Sequence, residues 1–378
     1  MRLHAARYLR NSKQEMLANP GLYVHLPWCI KKCPYCDFNS HPLKESSDLK
    51  GYVASLRQEI SELKELPRFG SVFFGGGTPS LFPPDAFAKI LGDAAVTDEV
   101  EVTMEANPGT TEHVDWQDYL EAGINRLSLG AQTFNDKHLH TLGRIHSANE
   151  IREAFHAADN AGFENINIDL MWGLPGQTVD EALDDLYFAI QLGPEHISWY
   201  QLTIEPKTEF GARPPILPAE ERLARMESEG LSRLQSAGYH RYEVSAYTRK
   251  RPSTHNLNYW EFGDYVGIGA GAHGKETNLP GIIRTQNPHQ PRVYVEQPIS
   301  GTRTVVEDVS FEFMLNALRL KDGVSFERYE KTTGLTFEHL KPTWTSLVNR
   351  ELVRADRIET TDLGYRYLDS VVAEFLST

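Results

Sequence analysis

The chain has 378 residues, a net charge of −14 and 40% hydrophobic residues. That length builds one large α/β domain plus a smaller appendage. Acidic and basic residues are mixed along the chain, which favours solubility over a nucleic-acid or membrane surface. No apolar run reaches the roughly 18 residues a membrane-spanning helix needs. The start, MRLHAARYLRNSKQEM, is basic but lacks an apolar stretch with a cleavage site, so it reads as a short extension of a cytoplasmic protein.

From residue 21 to about 203, short apolar strands alternate with amphipathic helical stretches. The expected strands are Gly21–Leu26, Ser71–Gly75, Glu99–Glu105, Arg126–Gly130, Asn165–Leu170 and His196–Thr203, each rich in Val, Ile, Phe or Leu and bounded by Gly, Pro or Asn. Between the first two, Asp48 to Leu63 places Tyr52, Leu56, Ile60 and Leu63 on one helical face. Six βα alternations imply a parallel sheet with right-handed crossovers. A doubly wound sheet and an incomplete barrel both satisfy that pattern.

A long helix is expected from Pro218 to Ala237, then a strand at YEVSAY and the Gly-rich stretch VGIGAGAHG. In the last 75 or so residues, FEFMLNALRL and Phe337 to Arg350 read as helices, followed by a short hairpin and a final helix. This is a winged-helix-like pattern. From Gly301 to Thr378 there are 10 Lys and Arg against 13 Asp and Glu, which speaks against DNA binding.

The three cysteines of the chain, Cys29, Cys33 and Cys36, all fall in GLYVHLPWCIKKCPYCDFNSH, directly after the first strand. An odd number this tightly spaced is no disulfide framework and points to metal ligation in a reducing compartment. Three thiolates on one loop can bind three corners of a cubic iron–sulfur cluster, leaving one iron for an exchangeable ligand with an amine and a carboxylate. The competing reading is a Cys3His zinc site completed by His25 or His41.

Further polar residues stand at the ends of the later strands, where barrels place their chemistry. Gly75-Gly76-Gly77-Thr78-Pro79 follows the second strand, and its N–H groups can form a nest for a carboxylate. Glu105 ends the third strand, where an acid can bind ribose hydroxyls. Gln132 ends the fourth, with Arg144 and His146 shortly after, Asp169 ends the fifth, and Tyr200 and Gln201 lie on the sixth.

C-x3-C-x2-C after an N-terminal strand is the signature of the radical S-adenosylmethionine enzymes. With YVHLPWC before it, the chain resembles the oxygen-independent coproporphyrinogen III oxidase-like proteins, and within them the branch of haem chaperones. The resemblance implies an incomplete (β/α)6 radical-SAM barrel with a C-terminal α+β, winged-helix-like domain. The expected divisions are an N-terminal extension over 1–20, the partial barrel over 21–215, a barrel extension carrying the haem motif over 216–300, and the C-terminal domain over 301–378. It further implies a [4Fe–4S] cluster on Cys29, Cys33 and Cys36. S-adenosylmethionine is expected on Tyr23, Gly76, Gly77, Thr78, Glu105, Gln132, Arg144 and Asp169.

Two features separate the branches. The oxidase pattern has a further cysteine two positions after the third, where this chain has Phe38. HNLNYW matches the H-N-x-x-Y-W motif of the chaperone branch, in which His255 can offer an imidazole to haem iron while Tyr259 and Trp260 pack on the macrocycle. His273, in GAGAHG, is a second histidine placed for either ligand. The expected function is therefore a haem chaperone that delivers haem to an unidentified acceptor protein, membrane-associated acceptors included, with no membrane segment of its own. The alternatives are an oxidase that decarboxylates a porphyrinogen by radical chemistry, and a zinc-stabilised binding module.

Overall fold

A computed structural model describes residues 19–63, 66–110, 115–279 and 281–376. The extension expected over 1–20 lies outside these as far as residue 18. Six parallel strands run through the first half: β1 (Gly21–Leu26), β2 (Ser71–Gly76), β3 (Glu101–Ala106), β4 (Arg126–Gln132), β5 (Ile166–Trp172) and β6 (His196–Gln201). Each pairs in parallel with the next in chain order. They coincide with the six strands expected from sequence to within two residues at either end. Six more follow: β7 (His240–Glu243), β8 (Ala246–Thr248), β9 (Tyr265–Ile268), β10 (His273–Asn278), β11 (Gly281–Gln286) and β12 (Thr302–Val305). The sheet order is β12-β11-β10-β9-β1-β2-β3-β4-β5-β6-β8-β7, an open series rather than a closed ring. This is the incomplete barrel. The seventh parallel strand, β9 beside β1, emerges from the Gly-rich stretch and has no counterpart among the strands expected from sequence.

The crossover helices are α1 (Leu49–Ser61), α2 (Pro84–Asp93), α3 (Trp116–Glu121), α4 (Ala148–Ala161) and α5 (Val179–Leu192), with α6 (Glu220–Ser236) after β6. Their ends follow local chemistry. Ser147 with Glu150, and Thr178 with Glu181, form reciprocal capping boxes, and Gly162 and Gly193 end the same helices in left-handed conformation. Tyr52, Leu56 and Ile60 of α1 face the core as their spacing predicts.

Strand alternation then divides the barrel into two environments. Leu22, Val24 and Leu26 of β1, Val72 and Phe74 of β2, and Leu127 and Leu129 of β4 are buried in the main hydrophobic core with the helices. The opposite face carries Tyr23, His25, Phe73, Glu105, Arg126, Ser128, Asn167 and Asp169, so the barrel interior is largely polar.

A second core gathers around α8 (Val309–Ala317), α9 (Phe326–Thr333) and α10 (Lys341–Asn349), with Phe313, Met314, Leu318, Tyr329 and Trp344 at its centre. The hairpin expected there is reduced to single antiparallel bridges, Val353 with Thr360 and Val324 with Ile358. Tyr242, Ala246, Leu257 and Phe262, from the stretch before residue 300, also belong to this core.

Gly230 of α6 sits against the indole of Trp199 on β6; a Cβ there would come within 2.1 Å of the ring. On a free helix Gly→Ala gains close to 1 kcal/mol. Here overpacking reverses the sign. Gly230→Ala is expected to destabilise the protein by about 1–3 kcal/mol, read from denaturant midpoints.

Candidate functional site

The cysteine loop is a lobe closed at its base. Trp28–Cys29 pairs in parallel with His41–Pro42, His41 N–H donates to Pro27 O (2.7 Å) and Leu43 N–H to Cys29 O (2.8 Å). Within the lobe Cys36 N–H donates to Cys33 O (3.1 Å), and the Lys32 ammonium donates to Phe38 O (3.0 Å). Asn39 fastens it from the far side, its amide nitrogen donating to Ala270 O and His289 O, each at 2.9 Å.

The glycine run after β2 receives this lobe. Gly77 N–H donates to Leu26 O (2.8 Å) and Thr78 N–H to Trp28 O (2.7 Å), while Gly76 N–H donates to Glu105 Oε2 (3.0 Å). A Cβ on Gly77 would lie 2.5 Å from Trp28 O, and Gly76 has φ +111° with its missing Cβ directed at the His25 ring. These glycines serve close approach between two backbones. The nest for a carboxylate expected from Gly75–Gly77 is corrected on this point: the Gly76 and Gly77 N–H groups, and that of Thr78, are taken by protein acceptors.

All three cysteines are free thiols, half-buried. Burial pushes the Cys29 and Cys36 thiols up; the Thr78 and Ser40 hydroxyls beside them act in the opposite direction. Arg144 Nη1 stands 3.7 Å from Cys33 Sγ and Ser40 Oγ 3.7 Å from Cys36 Sγ, so the sulfurs have donors suited to sulfur-rich ligation. The zinc alternative fares worse. The His25 ring meets the Tyr23 hydroxyl (2.9 Å) and Asn39 O (2.8 Å), which occupies both its nitrogens, and His41 Nε2 meets Asn39 Oδ1 at 3.2 Å.

Beneath the lobe the strand-end residues form a ring at one end of the barrel. Burial, and then the Glu105 carboxylate, pushes the Tyr23 hydroxyl well above its usual range. Burial, then the Asp169 charge, pushes the Glu105 carboxyl up to about 7. Asp169 accepts from Ser128 Oγ and Asn167 Nδ2, each at 2.8 Å. Gln132 has the unusual φ of +70° for a residue with a side chain, and the Tyr200 hydroxyl holds it by donating to its Oε1 (2.9 Å). Arg144 Nη2 donates to Gly130 O (2.8 Å), and its buried Nε has no partner. The eight residues expected to hold one ligand are thus brought together. His146 instead bonds Asn107 Oδ1 and Ala131 O and serves the scaffold.

The HNLNYW segment forms α7 (Thr254–Trp260) at the opposite end. Its start is capped by Ser253 and by Glu101, which opens β3 and accepts from Thr254 N–H (2.8 Å) and His255 N–H (3.2 Å). The His255 ring lies inside the barrel, stacked on Phe73 (4.5 Å between centroids) and edge-on to Tyr259 (4.7 Å). It is 5% exposed, burial lowers its pKa to about 3, and its Nδ1 has no partner. Tyr259 packs on Tyr265, and Trp260 lies under the Arg319 guanidinium (4.3 Å). His273, by contrast, is exposed at the start of β10.

The radical SAM superfamily profile matches residues 23–189, and the HemN C-terminal domain profile matches residues 306–366. Two curated relatives, the heme chaperone HemW of Haemophilus influenzae and that of Escherichia coli, are each 42% identical to this chain. The alignments cover 94% of it and 98% of each relative. The chain belongs to the HemW family of radical S-adenosylmethionine proteins. In fold it is similar to the coproporphyrinogen III oxidase HemN of Escherichia coli, with a TM-score of 0.78 over 97% of this chain and 92% of that one, at 20% identity.

Membership of the HemW family within this superfamily brings a [4Fe–4S] cluster and S-adenosylmethionine, and the donor set fits. Cys29, Cys33 and Cys36 would hold three of its irons and leave the fourth for an exchangeable ligand. When bound, such a cluster supplies an electron to the sulfonium. Sequence reasoning missed Asn39 and Tyr35. Asn39 carries no motif signal. Tyr35, between the second and third cysteines, packs with Leu142, Met171 and Tyr200 under the lobe.

Two expectations follow. Gly77→Ala should displace the lobe from β2, lowering iron and sulfide content after anaerobic reconstitution with little change in far-UV circular dichroism. Glu105 keeps its proton in the folded state up to about pH 7 but in the unfolded chain only to about 4.5. Its contribution to stability is therefore present at low pH and lost as pH rises through that window. In cluster-free protein Glu105→Gln should be stabilising by roughly 1–3 kcal/mol at pH 8 and neutral near pH 4.5, read from melting curves.

Proposed function

We propose that this chain is a haem chaperone, which binds haem and passes it to an acceptor protein. The observation that carries the reading is 42% identity to heme chaperones HemW along nearly the whole chain. Phe38, 58% exposed, stands where the oxidase pattern has its further cysteine, which supports the same branch.

In this reading S-adenosylmethionine lies against Tyr23, Gly76, Gly77, Thr78, Glu105, Gln132, Arg144 and Asp169. The support is electrostatic. Glu105 and Asp169 share one end of the barrel without a cation paired to either, among the described residues, and a sulfonium is the charge that setting favours. The Gly76 and Gly77 contribution is backbone proximity, since their N–H groups are engaged. His255, Tyr259 and Trp260 are the haem-contact candidates of α7, and His273 is the histidine open to an iron porphyrin from outside. The free thiols suit the reducing cytoplasm. No helix among the described residues is long and apolar enough to cross a membrane, so a membrane-bound acceptor would have to be met at its surface.

Anaerobic haem titration of the cluster-loaded protein tests this, followed by the Soret band. Wild type should bind one haem, His255→Ala should lose at least tenfold in affinity, and incubation with coproporphyrinogen should yield no decarboxylated product. Stoichiometric product would replace the chaperone reading with the oxidase.

A further inference from the structure

Arg126 opens β4 on the polar face of the barrel, next to Thr103 on β3. It is 3% exposed, and among the described residues its side chain makes one hydrogen bond, Nη1 to Thr103 Oγ1 at 3.5 Å. No ion pair neutralises it among the described residues. The acids of neighbouring layers are engaged elsewhere: Glu101 by the start of α7, and Asp169 by Ser128 and Asn167. The charge is felt by His255, His196 and Tyr242, whose ionisation is governed first by burial and next by Arg126. Of these, His196 and Tyr242 are hydrogen-bonded to each other (2.9 Å), whereas His255 Nδ1 has no partner.

Phe73, Thr103 and Arg126 pair across β2, β3 and β4, and His255 stacks on Phe73. One layer of the interior thus holds a guanidinium without an ion pair among the described residues, a threonine hydroxyl and an imidazole with an unsatisfied nitrogen, all buried. A buried cation without a counter-ion is unfavourable unless a ligand completes it. A guanidinium fork matches the two oxygens of a carboxylate, and an imidazole N–H can serve one of them again. We propose that Arg126, His255 and Thr103 form a carboxylate-binding site in the barrel lumen, and, resting on the haem reading above, that its occupant is a propionate of the bound porphyrin. The motif histidine then recognises the acid edge of the macrocycle, and iron ligation falls to another residue.

The test uses cluster-loaded protein and two pairs of probes: haem against haem dimethyl ester, whose propionates are neutral, and propionate against propionamide. Wild type should bind haem about tenfold more tightly than the diester, and propionate but not propionamide should raise its unfolding temperature. Arg126→Gln should bind haem and diester within about twofold of each other and lose the propionate effect. Arg126→Lys, which keeps the charge, should retain part of both. Equal binding of haem and diester by wild type, with no propionate effect, overturns the site without reference to any variant. Discrimination that survives in Arg126→Gln overturns it as well. A propionate effect in a protein that does not bind haem keeps the site and removes the haem reading instead.

Discussion

The contact on which the site depends is between two backbones. Gly77 and Thr78 donate to the carbonyls of Leu26 and Trp28 on either side of Pro27, so the cysteine lobe is hung directly on the end of β2. A side chain at Gly77 would hold the strands apart by the width of a methyl group. The lobe is fastened there, and by Asn39 to the loops at 270 and 289, which sets Cys33 Sγ 3.7 Å from Arg144 of the strand-end ring.

Below that junction the barrel interior is organised by hydrogen bonds rather than apolar packing. A chain runs from Asp169 through Asn167 to His196 (2.7 Å), on to Tyr242 (2.9 Å) and to Asn256 of α7 (3.2 Å). Such a network is favourable only when its members are satisfied. His255 Nδ1 has no partner, and Arg126 has no ion pair among the described residues, which is informative about what the interior is built to receive. The two ends of the barrel therefore differ in kind, with thiols, carboxylates and Arg144 at one and Arg126 with the His255 and Phe73 rings at the other.

Much of this was legible in the sequence. The six parallel strands show as apolar runs bounded by Gly and Pro, and the cysteine spacing carries the metal reading alone. The polar residues at strand ends are detectable because period-two alternation fixes which side chains share a face. What was not legible depends on long-range contact. β9 is too short and glycine-rich to announce a parallel strand, and it exists because β1 offers a free edge. The glycine run looks like an anion nest locally, yet Gly77 N–H is claimed by Leu26 O some 50 residues earlier and Gly76 N–H by Glu105 on the next strand. Arg126 does have a signal, the polar phase of R-L-S-L-G-A-Q, but that phase cannot tell a solvated residue from one enclosed in a barrel. His255 likewise reads as an available ligand until Phe73 and Tyr259 are seen on either side of its ring.

Helix α7 belongs to both halves of the molecule. His255 reaches into the barrel, while Leu257, two residues on, is anchored in the C-terminal core with Phe262. The C-terminal domain is thus the foundation of the barrel floor rather than an attachment to it. Damage to Phe313 or Trp344 in that core would loosen α7 and, on the haem reading proposed above, be scored in a cell as a defect of haem handling. Genetic screens would in that case place on one phenotypic map residues that share only a supporting beam.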